Sequence, residues 1–191
     1  MQEKRLHELR QKQWIYSNLL YLIMIALFFA FLFLGLAASV VYFVLGLLFV
    51  LFPIASQWMK SPNPFLLLFP GMRELHQYER DKLGERWRAY YASTSLLLAV
   101  AGVFFFVQAW VRDGDVRFGE GVPWWYFVVV PIFLLVIGNS HLRSQTKRID
   151  RKTPEELKAY ASDKMLFSLV FASVALGMTI IGTIVYLLMG A

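Results

Sequence analysis

Charged residues fall in blocks along the chain, and the apolar stretches between the blocks are long. From Gln13 to Met59 there are 47 residues without an Asp, Glu, Lys or Arg. As a single helix rising ~1.5 Å per residue, that stretch would run ~70 Å against a hydrocarbon core of ~30 Å. It is therefore expected to cross a bilayer twice, reversing at Gly35-Leu36-Ala37-Ala38-Ser39, its first cluster of small residues. Further uncharged stretches cover 89–111, 121–142 and 165–191. The pattern predicts an all-α, polytopic helical membrane protein. Its single membrane domain, 1–191, has five spans at about 15–34, 37–57, 92–111, 122–140 and 165–189. A four-crossing arrangement, with one apolar segment lying in the interface, is the main competitor.

Composition points the same way. Hydrophobic residues make up 58% of the chain and charged residues 17%, with a mean hydropathy of +0.53. Soluble domains average ~45–50% and ~25%, so disorder is excluded and a water-soluble globule disfavoured. Cysteine is absent, which removes a disulfide framework, a thiolate metal site and a cysteine nucleophile.

The net charge is +6, and its distribution sets the expected orientation. Of the 19 Lys and Arg, only Arg112 and Arg117 fall in the segment 112–121. The other 17 lie in 1–14, 58–91 and 141–164. Five spans with a cytoplasmic N-terminus put those three segments inside, and the sparse loop and the C-terminus outside, as the positive-inside rule asks. Treating 15–57 as one crossing would move the segment holding Lys60, Arg73, Arg80, Lys82, Arg86 and Arg88 outside. Tryptophan agrees. Trp14, Trp58, Trp110, Trp124 and Trp125 sit at expected span ends, where the amphipathic ring prefers the headgroup level. A basic start before an apolar run and Gly35-x-Ala37 also fits a signal peptide, but the run exceeds an ordinary apolar region of that kind. An uncleaved first span is expected.

The cytoplasmic segments carry most of the specific signals. Pro62-Asn63-Pro64, five large apolar residues and Pro70-Gly71 make a segment too short to span. It is expected to lie in the inner leaflet, with a re-entrant loop as the alternative. From Met72 to Tyr91 an amphipathic juxtamembrane helix is expected. Its apolar arc is Met72, Leu75, Leu83, Trp87 and Tyr90, with Arg73, Arg80, Arg86 and Arg88 directed at anionic lipid head groups or a partner. His76 and Glu79 interrupt the apolar arc at i,i+3, a spacing that can supply two metal ligands. No second such pair exists, so a polar contact at a helix–helix interface is expected instead, and no metal. Thr153-Pro154-Glu155-Glu156 reads as a capping box opening a helix over 153–163 that can run into the last span. The run containing Arg143, Lys147, Arg148, Arg151 and Lys152 would suit nucleic acid in a soluble protein. Confined beside a membrane, it is expected to meet anionic lipid or a partner, and no nucleic acid.

The spans are poor in chemistry. None has an ionisable residue at its centre, which disfavours proton-coupled transport and embedded acid–base hydrolysis. Ser168, Ala172, Ala175, Thr179 and Gly182 line one face of the last span, a surface for close helix packing within the chain or onto another subunit. The Gly-rich, P-loop, zinc-protease and serine-hydrolase motifs are all missing, and no cofactor is expected. The expected role is that of a non-enzymatic accessory or scaffolding subunit, in a prokaryotic plasma membrane and with other membrane subunits or itself as partners. It would act through cytoplasmic helices 72–91 and 153–163 and the small-residue face. A small transporter or channel for an ion, solute or lipid is the alternative. An enzyme acting on lipid head groups through His76, Glu79, His141 and Arg143 comes third.

Overall fold

The computed structural model describes every residue except 1, 60, 62, 113, 115, 190 and 191, and the side chains of these except Arg86, Lys158, Tyr186, Leu187 and Met189. Lys60, Pro62 and the Arg86 side chain, which figure in the expectations above, lie outside the described residues. Among the described residues six α-helices follow in order: α1 Glu3–Phe33, α2 Ala38–Trp58, α3 Met72–Leu83, α4 Trp87–Val111, α5 Tyr126–Arg151 and α6 Pro154–Met189. Short 3-10 turns occupy Pro64–Leu68 and Gly84–Arg86. All helices but α3 are long and apolar enough to cross a membrane. Large apolar side chains stay exposed along them, among them Phe133 on α5 and Phe167 on α6. Such a surface suits hydrocarbon, where a helix satisfies its own backbone and leaves no polar group to solvate.

The long helices form two groups. In the first, α4 packs between α2 and α6. Glycine allows the close approach to α2: a Cβ on Gly102 would lie 2.7 Å from Val50 Cγ2 and 3.2 Å from the Gly46 carbonyl oxygen. On α6, Ser168 and Ala172 are buried. In the second group, α1 packs on α5. There Asn18 and Asn139 exchange side-chain amide hydrogen bonds of 3.0 and 2.8 Å, and the Tyr21 ring covers Gly138. Each amide thus satisfies the other where water is scarce.

The two groups are joined at both ends. At one end α1 stops at Leu34, Gly35 takes a φ of +60°, and α2 starts within three residues. The linker there bonds to the loop before α5 through Ala38 N–H to the Val116 carbonyl (2.8 Å) and Phe118 N–H to the Leu36 carbonyl (2.9 Å). The Phe118 ring meets Phe28 of α1 and Tyr42 of α2 edge-on. At the other end, hereafter the basic end, two clusters of buried side chains hold the helices together. One gathers Leu83, Tyr90, Tyr91, Ile149, Leu157 and Ala161; the other gathers Leu9, Met72 and Leu75. Both lie outside the expected spans.

One local expectation needs correction. The helix expected over 72–91 breaks at Gly84, whose φ of +55° ends α3, so Trp87 and Tyr90 belong to the long helix α4. Positive φ is nearly free for glycine and strained for other residues. The 62–70 segment folds, over its described residues, around the short turn Pro64–Leu68. Its 3-10 turn is capped by Asn63, Phe69 stacks on Tyr16 at 4.4 Å, and Phe65 and Leu68 face outward. The capping box forms as read: Glu156 N–H donates to Thr153 Oγ1 and Thr153 N–H to the Glu156 carboxylate.

Candidate functional site

The polar residues that the fold gathers most tightly are Arg10, Glu79, Tyr91 and Asp150, one from each of α1, α3, α4 and α5. Arg10 lies two turns inside α1, on the side facing Ile149 and Asp150 at the end of α5. Its guanidinium forms a fork with Asp150, Nε to Oδ2 at 3.0 Å and Nη2 to Oδ1 at 2.7 Å. Nη1 donates to Glu79 Oε1 and to Gln13 Oε1. The Tyr91 hydroxyl donates to Glu79 Oε2 at 2.8 Å, and Lys82 Nζ to the Asp150 carbonyl at 2.8 Å. All four carboxylate oxygens of the hub are thereby occupied.

Burial gives the hub its weight. Side-chain exposure is 12% for Arg10, 7% for Glu79 and 26% for Asp150. Burial alone would disfavour the charged guanidinium, but the two carboxylates outweigh it and raise the Arg10 pKa. Burial, followed by the nearby Glu79 charge, holds the Tyr91 hydroxyl well above its usual range, so it stays a donor. A carboxylate whose oxygens are all committed is poorly placed to take a proton from a substrate. The hub's chemistry is that of a staple between four helices.

A second cationic group surrounds an aromatic pair. Tyr90 and Tyr160 lie 5.9 Å apart; Lys164 Nζ sits 4.4 Å above the first ring, and Arg148 and Lys152 cover the second. Lys164 also donates to the Tyr90 carbonyl. Burial, helped by Arg148, pushes Lys164 down to about 8, and burial with Lys164 and Arg148 lowers His141. Neither Arg148, Lys152 nor Lys164 has an ion-pair partner among the described residues.

The residues singled out by sequence distribute unevenly over this frame. Both Glu79 oxygens go to Arg10 and Tyr91, while His76 sets its ring edge-on to Trp87 at 6.2 Å. Arg73, Arg80, Lys147 and Arg151 are exposed, Arg88 lies over Trp87, and Arg143 lies over Trp14. Of the small-residue face, Ser168 and Ala172 are buried, Ala175 and Thr179 half-buried, and Gly182 has open space around it. Among the described residues, no three His, Asp or Glu side chains converge in a way that could hold a metal ion.

Sequence reasoning missed Arg10, Tyr91 and Asp150. A signal existed for Asp150, the one acid between Glu120 and Glu155, set within a basic run that needs no countercharge unless something specific binds it. Set beside family models, curated proteins and solved structures, the chain matches none of them.

Proposed function

We propose that this chain is a non-enzymatic accessory or scaffolding subunit of a membrane complex. It would be embedded in a prokaryotic plasma membrane with its basic end toward the cytoplasm. The observation that carries this reading is the saturated hub. Arg10, Glu79, Tyr91 and Asp150 use their hydrogen-bonding capacity on one another and so fix α1, α3, α4 and α5 into a single platform. The cations left over, Arg73, Arg80, Lys147 and Arg151, stand exposed on its surface. A buried ion network with no open position serves geometry rather than turnover. Exposed cations beside a membrane serve attachment to acidic surfaces.

Isolation of the full chain in mild detergent, with identification of co-purifying chains, tests this. The expected result is a stoichiometric membrane partner, or a second copy, that is lost when Arg73 and Arg80 are both replaced by Glu. A monodisperse monomer without partners overturns the proposal.

A small transporter or channel is the second reading. It draws on the cleft of about 780 Å³ at the loop end, lined by Phe29, Leu32, Arg117, Phe118, Glu120 and Phe127. Solute or ion flux in reconstituted vesicles above that of empty vesicles would place this reading first.

A further inference from the structure

At the basic end, a cleft of about 600 Å³ opens between α1 and α5. One wall is the α1 face carrying His7, Gln11 and Trp14, spaced i, i+4, i+7. The other is formed by Arg143 and Thr146 of α5. Arg10 also reaches the cleft, but its guanidinium is committed to Glu79 and Asp150.

Arg143 stands differently. Its guanidinium lies 5.9 Å from the centroid of the Trp14 ring, its side chain is exposed, and it forms no ion pair among the described residues. Lys147 and Arg151 continue the same side of α5 at i+4 and i+8, also without ion pairs. Of the acids on adjoining turns, Glu8 holds Arg5 and Lys12, and Asp150 holds Arg10. The Arg143 charge at the cleft is therefore not neutralised by an ion pair among the described residues, and Lys147 and Arg151 extend the positive charge along α5. The Trp14 ring beside it marks the depth that tryptophan prefers, between headgroups and hydrocarbon. On the apolar side of that level, α1 presents Ile15, Leu19 and Leu22 as an exposed ridge, again at i, i+4, i+7. Cation above and apolar ridge below is the profile of an amphiphile with an anionic head.

We propose that this cleft binds one anionic phospholipid. Arg143 contacts the phosphate, His7 and Gln11 add hydrogen bonds, and an acyl chain lies along Ile15 and Leu19. A planar guanidinium suits a phosphate because two parallel N–H groups can meet two of its oxygens. Its seat on the Trp14 face limits the conformational freedom it would lose on binding. The proposal rests on the reading of the basic end as the headgroup-facing end of a membrane protein, and it requires no partner subunit.

The test is native mass spectrometry of the full chain in a mild detergent. It is titrated with phosphatidylglycerol, with phosphatidylcholine of the same acyl chains, and with inorganic phosphate as competitor. One phosphatidylglycerol per chain should be retained in preference to phosphatidylcholine. Arg143→Gln should weaken that retention about ten-fold, the scale of one charge-assisted contact to phosphate. Arg143→Lys should keep part of the preference, since the charge remains while the fork is lost. Lys4→Gln, an exposed cation of α1 outside the cleft, should leave retention unchanged. Equal retention of the two lipids overturns the proposal, as does a loss in Lys4→Gln matching that in Arg143→Gln, which would mean diffuse attraction. Displacement of the lipid by millimolar phosphate alone would also overturn it, in favour of a free-phosphate site. Arg143 is exposed, so its replacement should leave thermal unfolding unchanged, and the variants can be compared directly. Lipid retention by a chain that recruits no partner would keep this proposal and remove the scaffolding role. A partner-binding chain indifferent to lipid charge would do the reverse.

Discussion

At the scale of single residues, the hub separates charges that can be removed from charges that cannot. Arg10→Met would strand Glu79 and Asp150 as neighbouring, partly buried carboxylates with no guanidinium between them. The loss should be about 3–5 kcal/mol, as is usual when one partner of a buried pair is deleted. Tyr91→Phe leaves only one Glu79 oxygen without its donor, so it should lose about 1–3 kcal/mol. Denaturant titration in detergent, following helix content, would measure both; a negligible loss in Arg10→Met would mean that the hub is not a staple. Lys164 gives a prediction in pH. Its folded pKa of about 8 lies below the ordinary 10.5, so between those values the unfolded chain binds more protons than the folded one. Stability should therefore rise as pH rises from about 8 toward 9.5. Above that, the raised pKa values of Tyr90 and Tyr91 act in the opposite direction. Thermal unfolding of Lys164→Met across this range should show a flatter rise than the natural chain.

At the scale of elements, glycine marks which helices touch. A methyl group on Gly102 would enter Val50 and the Gly46 carbonyl, so Gly102→Ala should separate α2 from α4 and lose about 1–3 kcal/mol. Gly182 meets nothing, and Gly182→Ala should be neutral or stabilise by up to about 1 kcal/mol through better helix propensity. The pair of melting temperatures distinguishes packing from propensity. The long helices were legible in the sequence because each charge-free stretch exceeds what any soluble helix would leave bare. The break at Gly84 was not read. The apolar arc of Met72, Leu75, Leu83, Trp87 and Tyr90 fits one continuous helix, and periodicity carries no information about a left-handed glycine within it. Which helix packs on which was also invisible. Asn18 and Asn139 could be read as polar residues near span ends, but their reciprocal bonds join positions 121 residues apart.

At the scale of the whole molecule, the hub and the Ala37–Arg117 bridge gather segments by end. Residues 3–14, 72–91 and 141–164 meet at one end, and 34–38 meets 116–118 at the other. In a bilayer the two ends should face opposite compartments. Single cysteines at Gln77, Gly114 and Ser144 occupy exposed positions in a chain with no natural thiol. An impermeant reagent on intact cells should label position 114 alone. Labelling at 77 or 144 would overturn the orientation and move the basic end to the outer surface. The ends were legible in outline from the 17-to-2 division of Lys and Arg. The hub itself was not, because a single Arg among many basic residues gives no sign of which distant acids it will meet.

The separation of Arg10 from Asp150, 140 residues along the chain, has a consequence for how the protein is made. At ~5–20 residues per second, a ribosome takes roughly 7–30 s to pass from one to the other. Through most of that interval α1 lies in the membrane without α5, its Asn18 amide unmatched and its Arg10 without the Asp150 fork. The long helices α2 and α4 are therefore delivered before α5 can pair with α1, while α3 already reaches α1 through Glu74 and Glu79. The fork closes only when the last turn of α5 emerges, with α6 still to follow and pack onto α4.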